Sequence, residues 1–402
     1  VGVGKCRKTD AGTMCPSYMV TRDERDSTRG RARVLFEALN GHLPGGFTDH
    51  SVREALDLCL SCKSCKTECP AAVDMATYKA EFLSHYHEQH PRPLVARVLG
   101  RINEYAALAS HAPGLVNALS RSFVARPLKR ALGIHPNRDL PRFARQTFRS
   151  WFAARGPVAA DSRPEIVLFP DTFNNFFEPD VAISAVHVLE SAGFRVTIPP
   201  SQLCCGRPLY DQGMLDIAKQ RLREAMRVLG PYVDRGVPVV GLEPGCLLTF
   251  RDELPKLFPR ESSAQALAQN SFMLDEFLSR SAPGYTPPPF SGRALLHGHC
   301  HQKAIAGMNH ETALLGRVSG LKVESLDAGC CGMAGAFGYD AGHYDISKVL
   351  AERVLVPAIQ RGEPGTIVIT DGFSCRSQIR HFCPDARVLH LAQVLAPTVV
   401  SS

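Results

Sequence analysis

Apolar and polar positions along the chain follow two regimes. Up to about residue 160 they repeat with helical spacing: Arg29 to Leu39 and Ser51 to Leu60 read as helices, and Leu94, Val95, Val98, Leu99 and Ile102 continue the period. Prolines at 113, 127, 136 and 141 punctuate this stretch into short helices. Beyond residue 160, short apolar runs alternate with helical patterns. Ile166-Val-Leu-Phe169 reads as a strand, Leu215 to Leu229 as a helix and Val237 to Leu242 as a strand. Ala294-Leu-Leu-His297, Tyr344 to Ile359 and Thr366 to Ile369 repeat that order. Strands alternating with helices predict parallel sheets joined by crossovers, once in each half. Arg155 to Pro164 reads as a linker, and Pro283-Gly284 through Pro289 as the joint between the halves.

The chain has 402 residues, 45% of them apolar, enough for two or three globular domains. No unbroken apolar stretch approaches the ~18 residues of a membrane span, and no signal peptide opens the chain, so a cytoplasmic location is expected. A start at Val1 without Met reads as a piece of something longer. The formal charge is +7, with basic residues at Arg22, Arg25, Arg29, Arg31 and Arg33 and again at Arg121, Arg126, Lys129 and Arg130. A partner with an acidic face, or anionic lipid touched peripherally, fits such clusters; a solvated helical surface is the plainer reading. No nucleic-acid-binding signature is present.

Fourteen cysteines change the picture most. In a long chain at ligand-like spacing they point to metal or redox chemistry rather than disulfides. Cys59-x-x-Cys62-x-x-Cys65-x-x-x-Cys69-Pro70 is the spacing of a [4Fe–4S] ferredoxin, in which three close thiolates hold one cubane and the Cys-Pro residue serves another. A zinc site would need separated cysteine pairs. Cys15-Pro16 is a second Cys-Pro. In the exchanged arrangement Cys15 completes the cluster of Cys59, Cys62 and Cys65, while Cys69 serves a cluster involving Cys6. Two ligands cannot hold a cubane, so either further ligands precede Val1 or only one cluster exists and Cys6 is a free thiol.

The repeat carries its own cysteines. Cys204-Cys205-Gly206 and Cys246 in one half answer Cys330-Cys331-Gly332 and Cys375 in the other, all expected in loops that follow strands. The second half adds His297-x-His299-Cys300-His301, giving four thiols: Cys300, Cys330, Cys331 and Cys375. The first half has Phe169-Pro-Asp171-Thr-Phe at that place and only three, so its site reads as metal-free or structural. The glycines would permit backbone turns and bring N–H groups to sulfur. Alternation puts the three histidines on one side of an extended segment. Cys383 reads as a buried structural thiol. The fold class is therefore α/β: a helical ferredoxin-like module (1–90), a helical connector (91–160) and two related parallel-sheet Cys-Cys-Gly domains (161–282 and 283–402).

Together Lys5-Cys6-Arg7-Lys8, Thr13-Met14-Cys15-Pro16-Ser17-Tyr18, Thr21 to Glu24, Cys59 to Pro70, Gly329 to Gly335 and Ser374-Cys375-Arg376 resemble the C-terminal iron–sulfur half of bacterial FAD-linked oxidases. That group includes D-2-hydroxyglutarate and D-lactate dehydrogenases with a flavin domain ahead of such a segment. The Cys-Cys-Gly halves are also similar to iron–sulfur subunits of glycolate oxidase, anaerobic glycerol-3-phosphate dehydrogenase and heterodisulfide reductase. The resemblance implies FAD in a partner or a missing N-terminal domain, a relay cluster on Cys15, Cys59, Cys62 and Cys65, and a second centre on Cys300, Cys330, Cys331 and Cys375. It also implies a quinone or carrier protein as acceptor, and a homo-oligomer is expected. In this family a cysteine stands just before the Val-Gly-Val-Gly stretch. Substrate binding is expected elsewhere, since the chain shows no dinucleotide fingerprint. Two alternatives are a thiol–disulfide reductase acting at the Cys-Cys-Gly site and a zinc-stapled scaffold.

Overall fold

The computed structural model describes residues 3–10, 12–156 and 162–397, so part of the expected 155–164 linker lies outside the described residues. The first ninety residues form helices Pro16–Thr21, Thr28–Leu39, His50–Asp57, Ser64–Glu68 and Met75–Gln89. Side chains set three of their starts. Ser27 Oγ accepts the Gly30 N–H at 3.0 Å, Asp49 the Ser51 N–H at 2.9 Å and Asp74 the Thr77 N–H at 3.3 Å. The expected helix Ser51–Leu60 ends at Asp57, which frees Cys59 to Lys63 to run as a loop. Five more short helices follow: Leu94–Gly100, Ile102–Ala109, Pro113–Arg121, Ala125–Ala131 and Phe148–Ala154.

Two four-stranded parallel sheets make up the rest. β1 (Glu165–Leu168), β2 (Arg195–Thr197), β3 (Val239–Gly241) and β4 (Ser271–Met273) lie in the order β2-β1-β3-β4. β5 (Gly292–Leu296), β6 (Leu321–Ser325), β7 (Ile367–Ile369) and β8 (Val388–Leu389) lie as β6-β5-β7-β8, the same order again. Ile166, Leu168 and Val240 of one sheet share a core with Ala294, Leu296, Ile367 and Ile369 of the other. The opposite faces, Val167 with Val239 and Val368 with Val388, are covered by separate helices. Burial on both faces is why these strands read as unbroken apolar runs.

In each sheet the chain reverses direction of travel beside the first strand, between β1 and β3 and between β5 and β7. That crevice beyond the strand ends is where open α/β sheets take ligands. Leu168 pairs with Val240 and Leu296 with Ile369, so the halves align with Cys246 opposite Cys375 and Thr172 opposite Cys300.

Candidate metal centres

The loop after helix His50–Asp57 carries Cys59, Cys62 and Cys65, with Ser61 and Lys63 both in the left-handed region (φ 51° and 61°). Cys15, at the start of helix Pro16–Thr21, is brought to the same place. The four thiols are buried, 7–9% exposed. Glu68 fastens the amino-terminal segment there by accepting the Thr13 N–H at 2.9 Å and the Met14 N–H at 3.3 Å. Cys6 packs in the same group as Cys15, Cys59 and Cys65, with half-buried Cys69 at its edge.

Cations gather around these sulfurs. Arg31 Nη1 donates to Cys15 Sγ at 3.1 Å, while its other donors reach the Ala55 carbonyl at 2.9 Å and Ser17 Oγ at 2.7 Å. Burial pulls the guanidinium pKa down, but Cys15, Cys59 and Asp26 outweigh it and the net shift is upward. Arg31 is 1% exposed, which corrects its reading as part of a solvated basic face. Lys79 Nζ donates to the Cys59 carbonyl at 2.6 Å. Burial, reinforced by Cys59, pushes the Cys65 thiol up to about 12, and burial raises Cys62 too, with Cys300 the next cause. Such thiols ionise when metal takes their protons, and the cations then offset the negative charge. Four buried thiols drawn from one loop and the start of a neighbouring helix are the kind of donor set that holds a [4Fe–4S] cluster.

Lys63, inside the cysteine motif, anchors the loop to the first sheet domain. Its ammonium lies 2.6 Å from Asp252 and 2.5 Å from Glu253, and Arg207 reaches Glu253 at 2.7 Å. Lys256 joins Asp74 at 2.5 Å and Asp252 at 2.9 Å. The carboxylates outweigh burial and hold the Lys63 pKa above its ordinary value. His301 Nε2 donates to the Ser61 carbonyl at 2.9 Å, anchoring the same loop to the second domain.

The second Cys-Cys-Gly set converges as four thiols. Cys330 contacts Cys300 and Cys331, and Cys331 contacts Cys375. His297, Cys331 and Cys375 offer donor atoms within 4.8 Å of one another. Contacts from Cys330 and Cys375 hold the Cys331 thiol well below its ordinary pKa against the effect of burial. Gly332 sits at φ 88°, and a Cβ there would lie 2.4 Å from the Ser347 carbonyl oxygen, so the turn requires glycine. Its N–H points at Cys330 Sγ at 3.5 Å. The first set has Cys204 against Cys205 and Cys205 against Cys246. At the place of Cys300 stands Thr172, whose hydroxyl donates to Asn103 at 3.0 Å. Among the described residues this set brings together Cys204, Cys205 and Cys246.

The histidine segment is not extended throughout, yet its rings stay neighbours, His299 and His301 meeting edge to face at 5.2 Å. A helical turn begins at Cys300, so His297 turns to Cys331 and His301 to Ser61, while His299 Nδ1 accepts the His301 N–H at 3.2 Å. Burial holds all three below their ordinary pKa. Cys383 is buried in an apolar group with Ile379 and Val388, as expected of a structural thiol. A cavity of about 350 Å³ reaches Cys59, Cys246 and Cys300. Its floor includes Glu243, which accepts the Phe373 N–H at 2.7 Å and so links the two repeats. Burial, with Asp171 adding, pushes the Glu243 carboxyl up to about 8. Arg31, Lys63, Lys79 and Glu243 escape the cysteine spacing, although Lys63 stands within the motif.

Two sets of clustered thiols on a ferredoxin-like module and paired parallel sheets define an iron–sulfur oxidoreductase component. Residues 2–74 match the 4Fe-4S dicluster domain, and residues 171–251 and 294–380 each match the Cysteine-rich domain. The chain is therefore a dicluster domain followed by two cysteine-rich domains, and as such fits an electron-transfer module. It is similar to D-2-hydroxyglutarate dehydrogenase of Pseudomonas putida, 29% identical over 94% of this chain and 41% of the relative. It is also 27% identical to one subunit of the anaerobic glycerol-3-phosphate dehydrogenase of Escherichia coli, over 67% of this chain and 68% of that relative. Lactate utilization protein A 1 of Bacillus cereus is 27% identical over 58% of this chain and 98% of its own length. The chain spans about two fifths of the D-2-hydroxyglutarate dehydrogenases it matches. No helix among the described residues is long and apolar enough to cross a membrane.

Proposed function

We propose that this chain relays electrons one at a time from the flavin of a D-2-hydroxyacid dehydrogenase domain, of D-2-hydroxyglutarate or D-lactate type, to a quinone or carrier protein. The observation that carries the reading is adjacency: Cys62 of the first set packs in one apolar group with Cys300 and Cys330 of the second. Cys15, Cys59, Cys62 and Cys65 are the ligands assigned to one [4Fe–4S] cluster. Cys300, Cys330, Cys331 and Cys375 are assigned to a second centre. Cys6 and Cys69 belong to the remaining dicluster position, and Cys204, Cys205 and Cys246 stay a three-thiol structural set. A cubane supplies one-electron transfer when bound, whereas a flavin accepts a hydride equivalent. Oxidising the hydroxy acid to its 2-oxo acid releases two electrons and two protons; a quinone takes up two of each, and a carrier protein takes the electrons singly.

The protein's residues prepare that transfer by burying the thiols, placing Arg31 and Lys79 beside them, and holding the motif loop against both sheet domains through Lys63 and His301. Anaerobic iron and sulfide analysis with EPR of dithionite-reduced protein tests it. About eight irons support two cubanes and about four a single one. Cys59→Ser should remove one signal and leave the other, and Cys330→Ser the reverse. Near-zero iron and sulfide with stoichiometric zinc would overturn the relay.

A further inference from the structure

Helix Pro113–Arg121 buries none of its residues against the rest of the molecule, and two hydrogen bonds between Asn117 and the Phe143 backbone, 2.8 and 2.9 Å, tether it. Its Leu115 and Leu119 are exposed, and the apolar row continues through Phe123, 92% exposed, to Leu128. Leu108 of the preceding helix is exposed beside it in sequence. The segment from 94 to 130 has six basic residues and one acid, Glu104. Arg101 pairs with Glu104, and buried Lys129 donates to the Arg138 carbonyl at 2.5 Å, but Arg97, Arg121, Arg126 and Arg130 are exposed and form no ion pair among the described residues. Exposed leucines and a phenylalanine flanked by unpaired arginines are the composition of helices that lie in the surface of an anionic bilayer. Large apolar side chains gathered on one exposed segment mark an interaction surface.

The same segment walls the cavity that reaches the thiols. Val98, Leu99 and Ile102 line it, together with Leu132 and Phe143. We propose that helices 102–131 dock this protein on an anionic lipid surface, placing the cavity where an acceptor dissolved in the bilayer can reach Cys300 without crossing water. The acceptor clause rests on the relay function above; the docking does not.

The test is co-sedimentation of the iron-loaded full chain with phosphatidylcholine vesicles, with and without phosphatidylglycerol, repeated with its flavin-bearing partner present. Binding to the anionic vesicles is the expected result, weakened by salt and lowered about tenfold or more by Leu119→Glu/Phe123→Glu, with iron content and EPR signals unchanged. Arg121→Gln/Arg126→Gln should weaken it less and reduce the salt dependence. No binding, binding indifferent to the glutamates, or binding abolished once the flavin partner is added would each overturn the proposal. A dimer that the glutamates convert to monomer would instead assign the face to a second copy. Absence of iron with vesicle binding intact would strike the relay function alone.

Discussion

Replacing Arg31 by methionine removes the cation nearest the first thiol set while keeping its aliphatic bulk. The guanidinium donates to Cys15 Sγ at 3.1 Å, so it should lie roughly 6 Å from the charge of a cluster held there, and at an effective dielectric near 20 the interaction is about 3 kcal/mol. Reduction adds one negative charge, and losing the cation disfavours the reduced state by that amount. For a one-electron couple this is a fall of about 120 mV. Arg31→Lys keeps the charge and should shift the potential by well under half as much. Lys79→Met probes the same field from the Cys59 carbonyl, which its ammonium meets at 2.6 Å. The assay is an EPR-monitored potentiometric titration of anaerobic protein, with iron content measured on each variant. An Arg31→Met protein that keeps its iron and its potential would refute both the ligand role of Cys15 and the electrostatic argument.

Gly332→Ala should abolish the second-centre signal and spare the first, because its Cβ would sit 2.4 Å from the Ser347 oxygen at a φ of 88°; EPR of both centres decides, and a fully loaded alanine variant would sink the claim. Glu178 pairs with Arg376, which is wholly buried beside Cys375, at 2.6 Å. Glu178→Gln should cost about 3 kcal/mol by leaving that cation uncompensated, read from the midpoint of urea unfolding. Asp252 and Asp57 are both held below their ordinary pKa: although burial pushes each up, the Lys63 ammonium lowers Asp252 further, and His343 and Arg53 lower Asp57. Their stabilisation is thus fully present above the unfolded value near 4 and is lost as pH falls below it, since the unfolded chain binds those protons first. Unfolding free energies measured across pH should show that drop, and Lys63→Met should make it shallower; an unchanged slope would show that Lys63 is not what holds Asp252 down.

What the sequence makes legible depends on where each signal is stored. β1, β3, β5 and β7 are apolar on both faces and stand out from their neighbours. β2, β4, β6 and β8 flank them, and β6, Leu-Lys-Val-Glu-Ser, is largely exposed and unremarkable in composition. The expected helix Tyr344–Ile359 is two helices, broken at Val354. Pro357 explains it, for its ring clashes with the carbonyl four residues back, at Arg353, and its nitrogen has no proton to bond it. The extended run of the histidine segment stops for a similar local reason, a helical turn beginning at Cys300 that alternation cannot anticipate.

The thiols are legible because chemistry fixes their spacing within one short segment; the charges around them are not, because they are assembled across the fold. Lys63 and Asp252 are 189 positions apart, and no local pattern joins them. Arg31 is the instructive middle case. It follows Arg29 and precedes Arg33, so composition makes it one of a basic row, yet it lies four residues before Leu35 and seven before Ala38, both buried. The structure puts it on the inward face with them, where the basic row had suggested a solvated surface. A cation on the buried side of a helix beside a thiolate set is what composition hid and the fold revealed, and the measured potential of Arg31→Met decides whether that position has the electrostatic role its geometry gives it.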